Sequence, residues 1–128
     1  MATKRTRRQN AVSGLTTLET EILEIIWARG KSSVRDVHEI VLKDKYVPYT
    51  TVAAVMKNLA GKGILKQTKV GKAFYFAPKM DRFELAKQII DTVIDKVMLG
   101  SSGQIAAYLL DKKLKPEEFA ELKKKFAG

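Results

Sequence analysis

One stretch of the chain, YTTVAAVMKNLAG, carries hydroxyl, amide and amino groups at helical spacing and contains no acidic residue. One side of the predicted helix presents Thr50, Thr51, Ala54, Lys57 and Asn58, with Tyr49 at its start. Groups of these kinds bind base edges and phosphates, while alanine and threonine methyls fit against thymine methyls. Because carboxylates would repel phosphates, the acid-free face predicts contact with a nucleic acid.

The other side of this segment is aliphatic and is predicted to face a core. Its members recur at the spacing of one helix face: Val52, Val55, Met56 and Leu59. The alternative for the polar side is an ordinary solvated helix face, but such faces usually carry glutamates. The helix is predicted over about residues 49–61, where glycine residues end it.

The charge of the chain is concentrated in its first part. The net charge of +10 divides into +9 over residues 1–80, from 15 lysines and arginines against 6 acids, and +1 over residues 81–128, from 9 against 8. From Lys45 to Lys79, both included, there are seven lysines and no acid. A merely lysine-rich soluble surface would intersperse both signs, so this asymmetry favours a polyanionic partner for the first part.

The residue types exclude several kinds of chemistry. There is no cysteine, and His38, the single histidine, lacks a matching ligand or nucleophile in the sequence. We therefore expect no enzyme activity, no catalytic residue, no metal and no cofactor. No apolar run approaches the ~18 residues that span a membrane, and the basic first residues lack the apolar core of a signal peptide. These features predict a cytoplasmic protein without a membrane partner.

Three helices are predicted before a β-hairpin. Capping-box spacing occurs at Thr16 to Glu19 and again at Ser33 to Asp36, which predicts the starts of the first two helices. Pro48 suits the start of the third, where the missing N–H of proline has no cost. Residues 65–78 then have the sequence pattern of two β-strands.

This order predicts a mainly α fold with a small β hairpin, a winged helix-turn-helix over residues 13–80. Gly71-Lys72 between the strands has the residue order of a two-residue type II′ turn. In such folds the second helix of the turn pair enters the major groove, so Lys72 at the hairpin tip would touch the DNA backbone. Residues 1–12 are predicted to form a flexible basic arm that also contacts DNA through Arg5, Arg7 and Arg8.

Residues 81–128 are predicted to form a helical dimerisation segment. Three short helices of fewer than fifty residues make a poor independent core, and wide apolar stripes of this kind usually pack against a partner chain. The predicted dimer interface consists of Ile89, Ile90, Val93, Ile94, Val97, Leu109, Leu110, Phe119 and Leu122.

The chain also resembles a known family at three of these places. YTTVAAVMKNLAGKGIL is similar to the recognition-helix segment of the bacterial penicillinase-repressor family, with its Y-T-T-V…V-L-x-R-L…K-G pattern. LTTLETEILEIIWARG resembles the first helix of that family, and VGKAFYFAP resembles its wing. The resemblance covers Leu15 to Pro78 strongly and the remaining residues in their helical organisation.

The resemblance implies a homodimeric repressor that binds double-stranded DNA at an inverted-repeat operator through its winged helix. Two branch-specific features of the family are absent. The copper-responsive branch has cysteine pairs, and the β-lactamase branch is cleaved at an Asn–Phe bond where this chain has DKVMLGSSG. The inducing signal, and any sensor or protease partner, therefore stay unassigned. The alternatives are a protein-interaction module and a nonspecific nucleic-acid-binding protein.

Overall fold

Residues 15–127 are described by the computed structural model, and the chain divides into two units after Ile89. The N-terminal unit begins with α1 (Thr17–Arg29), a short strand β1 (Ser32–Ser33) and α2 (Val34–Leu42). It continues with α3 (Tyr49–Gly61), β2 (Leu65–Val70) and β3 (Ala73–Pro78), and with most of α4 (Arg82–Thr92).

Both predicted capping boxes are confirmed. Thr16 Oγ1 accepts from the Glu19 N–H at 2.9 Å, and Glu19 Oε1 accepts from the Thr16 N–H at 2.8 Å. The equivalent bonds between Ser33 and Asp36 measure 3.1 and 3.0 Å. Each pair satisfies two N–H groups that a helix start leaves without an internal partner, so the sequence fixes where α1 and α2 begin.

The turn between α2 and α3 is held by His38. Its Nε2 donates to the Val47 carbonyl at 2.8 Å, and its ring meets the Tyr49 ring edge-on at 5.4 Å. His38 therefore has a packing role in this turn. Pro48 takes the capping position immediately before α3, as its fixed backbone angle predicts.

The hairpin is confirmed, and it belongs to a three-stranded antiparallel sheet in the order β1-β3-β2. Leu65 pairs with Pro78 and Val70 with Ala73, which leaves Gly71 and Lys72 as the loop. Gly71 has φ 65° while Lys72 is not among the positive-φ residues, in agreement with a type II′ turn. The predicted hairpin missed β1, because a two-residue strand has no periodic pattern to detect.

One apolar core joins these elements. The buried members of the helices and the sheet pack together: Ile22, Leu23, Ile26, Val34, Val37, Val41, Val47, Val52, Met56, Leu59, Ile64, Leu65, Phe76 and Leu85. Trp27 closes one edge, donating from Nε1 to the Met80 carbonyl at 3.0 Å beneath the Arg82 guanidinium. Since Leu85 is buried here, the start of α4 packs with the winged helix, and the unit extends beyond the predicted boundary at residue 80.

The C-terminal unit, from Ile90 onward, is entirely helical. The end of α4 continues into a π-helical turn, Val93–Val97, and α5 (Gly103–Tyr108) continues into another, Leu109–Lys113. The last helix is α6 (Pro116–Ala127). Residues 98–102 separate the first of these turns from α5. No residue between 90 and 126 is buried.

Candidate nucleic-acid interface

The predicted division of α3 into two faces is confirmed by burial. Val52, Met56 and Leu59 are fully buried in the core. On the other side, Thr50, Thr51, Ala54 and Lys57 are exposed, and so is half of the Tyr49 side chain. The small side chains leave the helix backbone open to close approach, which a groove ~12 Å wide requires.

Asn58 differs from its neighbours on this face. The residue is exposed, but its Nδ2 donates to Glu19 Oε2 at 3.3 Å, within the protein. The same carboxylate oxygen accepts from Lys62 Nζ at 3.0 Å. Asn58 was predicted to contact DNA directly, whereas its amide nitrogen here joins α3 to the first turn of α1.

A cleft of about 400 Å³ lies between α3 and the hairpin. Three of the predicted site residues line it together: Tyr49 and Lys57 of α3, and Lys72 of the hairpin loop. Arg35 of α2 lines the same cleft and was not predicted. Among residues 15–127, Lys57 and Lys72 have no ion-pair partner, so both positive charges are open to an external anion.

Aromatic rings of β3 hold further cations on the hairpin side. The Lys69 amine lies 5.6 Å from the centroid of Phe74, and the Lys31 amine lies 5.5 Å from that of Tyr75. Both rings also line the cleft. These contacts keep two more positive charges close to the wing without neutralising them.

Several carboxylates of this unit are engaged within the protein. Glu39 pairs with Arg35 at 3.2 Å, and Asp36 lies 3.7 Å from Arg29. Hydrogen bonds from the Ser33 backbone and hydroxyl, with smaller effects of the nearby arginines, lower the pKa of Asp36 below its ordinary value. Asp36 thus stays charged as part of the α2 cap.

The sequence reasoning missed Arg35, Lys62 and Glu19 as site-forming residues. Arg35 is one of several cations near a helix start, and only the fold brings it beside Lys57. Glu19 was identified as a capping residue, but the contact of its second oxygen with Asn58, 39 positions away, has no local signal. The predicted arm residues Arg5, Arg7 and Arg8 lie outside the described residues.

The predicted dimer residues occupy two kinds of position. Ile89 is partly buried against the core of the N-terminal unit, so this side chain is already packed within the chain. Val93 and Ile94 are half-buried. The others are substantially exposed: Ile90, Val97, Leu109, Leu110, Phe119 and Leu122.

Two further kinds of site are absent from residues 15–127. Within that range no cluster of three or more histidine, cysteine, aspartate or glutamate residues is arranged to hold a metal ion. None of the described helices combines the length and apolar character that crossing a membrane requires.

The sequence profile described as penicillinase repressor matches residues 15–127, which includes both units. The chain belongs to the penicillinase repressor family. Its match to that family therefore extends beyond the winged helix, on which the resemblance was strongest, into the C-terminal helices.

Individual relatives agree with membership of the penicillinase repressor family. The chain is 30% identical over 90 residues to the transcriptional regulator BlaI of Mycobacterium tuberculosis, covering 70% of this chain and 65% of that protein. It is 25% identical over 97 residues to an uncharacterised 16.5 kDa protein from the ptsI 3′ region of Latilactobacillus sakei, covering 76% and 66%. The matches thus span just under two thirds of these relatives.

The fold has a solved counterpart in the same family. The solution structure of the DNA-binding domain of the repressor BlaI superposes with a TM-score of 0.50 at 22% identity, covering 56% of this chain and 87% of that domain. This likeness establishes the winged-helix fold of the N-terminal unit.

Proposed function

We propose that this protein is a transcriptional repressor that binds double-stranded DNA with α3 in the major groove. The observation that carries the proposal is the exposed, acid-free face of α3, formed by Thr50, Thr51, Ala54 and Lys57. Family membership and the BlaI relative support the same function. In this arrangement the threonine hydroxyls and methyls and the lysine amine contact base edges and adjacent phosphates.

The hairpin supplies backbone contacts beside the groove. Lys72 at its tip and Lys57 on α3 line one cleft, so a phosphate strand passing there would meet both amines. Arg35 on the same cleft adds a third cation. Each phosphate contact releases counterions and strengthens binding without regard to sequence.

The basic arm is proposed to add further sequence-independent affinity. Thr16, where the chain enters α1, shares the Glu19 carboxylate with Asn58 of α3, so the arm is attached beside the DNA-facing helix. From Leu15, an extended chain places Arg8 within a radius of about 25 Å. Arg5, Arg7 and Arg8 would thus reach phosphates next to those that α3 contacts.

Repression is proposed to be steric and to require a homodimer. Two winged helices related by two-fold symmetry would occupy half-sites of an inverted-repeat operator, separated by about one helical turn or slightly more. The exposed apolar side chains from Ile90 onward support dimerisation, because a lone copy leaves them in water. A promoter covered in this way is closed to polymerase.

The test is DNA selected from a random pool by the wild-type protein, followed by gel shifts with excess nonspecific competitor. Thr51→Ala should change preference among selected sequences by about 1–3 kcal/mol for each lost base contact. Lys72→Ala should weaken binding to all sequences alike and reduce the salt slope by about one unit. Lys87→Ala on α4, outside the cleft, is the control and should leave base preference unchanged.

The same experiment distinguishes the two alternatives. A nonspecific nucleic-acid-binding protein would enrich no sequence and would bind scrambled DNA as tightly as promoter DNA. A protein-interaction module would lose its DNA complex when competitor is added. Either result would overturn the proposed repressor.

A further inference from the structure

Glu19 is a buried carboxylate in the first turn of α1, with only 3% of the residue exposed. Its Oε1 accepts from the Thr16 N–H at 2.8 Å, within the capping box. Its Oε2 accepts from Asn58 Nδ2 at 3.3 Å and from Lys62 Nζ at 3.0 Å. Both oxygens are therefore used, one within α1 and the other toward α3.

The burial of this carboxylate requires the contacts with α3. A buried charge is costly unless it is paired and hydrogen-bonded. An exposed acid in the N-terminal turn of α1 would need no further partner. Glu19 is buried, and Lys62 supplies the opposite charge. Capping alone does not account for the burial, since Asp36 fills the same capping position in α2 with a side chain that is 39% exposed.

We propose that Glu19 is a positioning residue that sets the rotation of α3 about its own axis. Asn58 and Lys62 are four residues apart, so they leave the helix on one side, one turn after the other. Lys57 precedes Asn58 by one residue, or about 100° around the helix. A rotation of α3 that broke the contacts with Glu19 would turn Lys57 and Ala54 by the same angle. This inference rests on the proposed DNA-binding function of α3 and names a buried residue of α1 on which that function depends.

A purely electrostatic role and a positioning role of Glu19 predict opposite changes in DNA affinity for Glu19→Gln. The substitution removes a negative charge from a DNA-binding unit, so counterion release alone would leave affinity unchanged or raise it. If Glu19 positions α3, the same substitution weakens sequence-specific binding. A glutamine side chain has one acceptor oxygen where the carboxylate has two, so it cannot accept from the Thr16 N–H and from the donors of Asn58 and Lys62 as Glu19 does. The sign of the change therefore separates the two roles.

The experiment uses the full chain, a 30-base-pair duplex selected by the wild type and a scrambled duplex of equal composition. With every variant checked as folded by circular dichroism at the assay temperature, Glu19→Gln should bind the selected duplex about tenfold more weakly. Its affinity for the scrambled duplex should stay constant or rise. Glu24→Gln is the matched control: it lies on α1, its carboxylate is exposed and 3.6 Å from Arg82, and the charge change is identical. It should retain wild-type preference.

A purely structural role would give a different result. If Glu19→Gln lowers the midpoint of thermal unfolding but keeps the wild-type ratio of selected to scrambled affinity, the positioning role is overturned. It is also overturned if Glu19→Gln binds the selected duplex more tightly, as the electrostatic argument expects.

Asn58→Ala provides a second test should Glu19→Gln fail to fold, since it leaves the Lys62 contact with Glu19 in place. Positioning predicts a loss of about threefold in affinity for the selected duplex that is spread over several base pairs of the site, with unchanged affinity for the scrambled duplex. A change confined to one base pair would instead make Asn58 a direct base contact and contradict the positioning role, as would unchanged binding.

The proposal can also be judged without DNA. Nuclear magnetic resonance of the free protein should show amide shift changes in both Glu19→Gln and Asn58→Ala that extend along Thr50–Gly61. Changes in Glu19→Gln confined to the first turn of α1 would refute positioning. If the wild type selects no sequence, the repressor function fails, whereas this measurement still decides whether Glu19 orients α3.

Discussion

The two units differ in what they bury. Every buried apolar residue among 15–126 lies at or before Leu85, in a core to which four helices and the sheet contribute. From Ile90 onward no described side chain is buried, and large apolar groups remain in water: Ile90, Val97, Leu99, Tyr108, Leu109, Leu110, Phe119, Leu122 and Phe126. The first unit therefore has an apolar core of its own, whereas the described residues of the second unit form none.

The starts of α2 and α5 differ in the same direction. Ser33 caps α2 with its side chain, whereas Ser102, in the corresponding place before α5, makes no side-chain cap bond. Because no described residue from Ile90 onward is buried, we propose that contacts with another surface supply much of the stability of the C-terminal unit. A second copy of the chain is the partner we propose. The following predictions compare the units, starting with the largest expected effect.

Truncation of a phenylalanine should cause a large loss of stability that is independent of protein concentration only in the first unit. Phe76 is fully buried, so Phe76→Ala should lower the free energy of unfolding by about 3–5 kcal/mol. Phe119 is 41% exposed, and the effect of Phe119→Ala should shrink as protein concentration falls, because this side chain would stabilise only the proposed dimer, which dissociates on dilution. Urea denaturation at two concentrations measures both. Equal, concentration-independent losses would show that the second unit has a core of its own.

A charge in the apolar surface of the second unit should separate the subunits. Val93→Asp should give a folded monomer that binds an operator about 10–100-fold more weakly, because two linked half-site contacts become one. Sedimentation equilibrium gives the mass, and circular dichroism checks folding. Asp91→Asn, at an exposed position of α4, is the control and should remain dimeric. A Val93→Asp protein that stays dimeric would rule out this surface as the interface.

Removal of a capping serine should matter at one helix and not at the other. Ser33→Ala should cost about 1 kcal/mol, because the Asp36 N–H loses its acceptor. Ser102→Ala should change stability by less than about 0.5 kcal/mol, since no cap bond is lost there. Thermal unfolding of the two variants provides the comparison, and similar losses in both would contradict it.

The smallest expected effect is one of pH. Since the pKa of Asp36 is lowered on folding, its carboxylate stabilises the protein above the ordinary pKa, and this stabilisation is lost as pH falls through the lower folded-state value. Asp36→Asn should therefore be less stable than wild type at neutral pH, with the difference vanishing in acid. Asp111→Asn, at a highly exposed position in the second unit, should follow the wild-type curve. Unfolding midpoints between about pH 2 and pH 7 test this.

Much of the fold was predictable because its signals are local. The capping boxes at Thr16 and Ser33, the proline before α3 and the glycine in the hairpin turn each act over four residues or fewer. The two faces of α3 were predictable for a similar reason, since helical spacing alone separates Val52 from Thr51. The strand Ser32–Ser33 was not, because its pairing with Tyr75 and Phe76 comes from distant residues.

The candidate site was predictable residue by residue but not as an arrangement. Composition and spacing identified Lys57 and Lys72, yet only the packed fold brings them with Arg35 to one cleft. In the same way, Asn58 has the chemistry of a base contact, but its amide nitrogen is directed to Glu19. Side-chain type shows what a residue is able to bind, while its neighbours in space decide which partner it meets.

The sequence by itself determined the helix starts, the hairpin turn, the acid-free face of α3 and the concentration of positive charge before residue 81, because these depend on residue type and short spacing. Tertiary structure alone decided that Glu19 would be buried against α3, that Arg35 would join the cleft, and that Ile89 would pack with the first core. Those outcomes depend on contacts between residues far apart in the chain, which form only once the apolar core has brought the elements together.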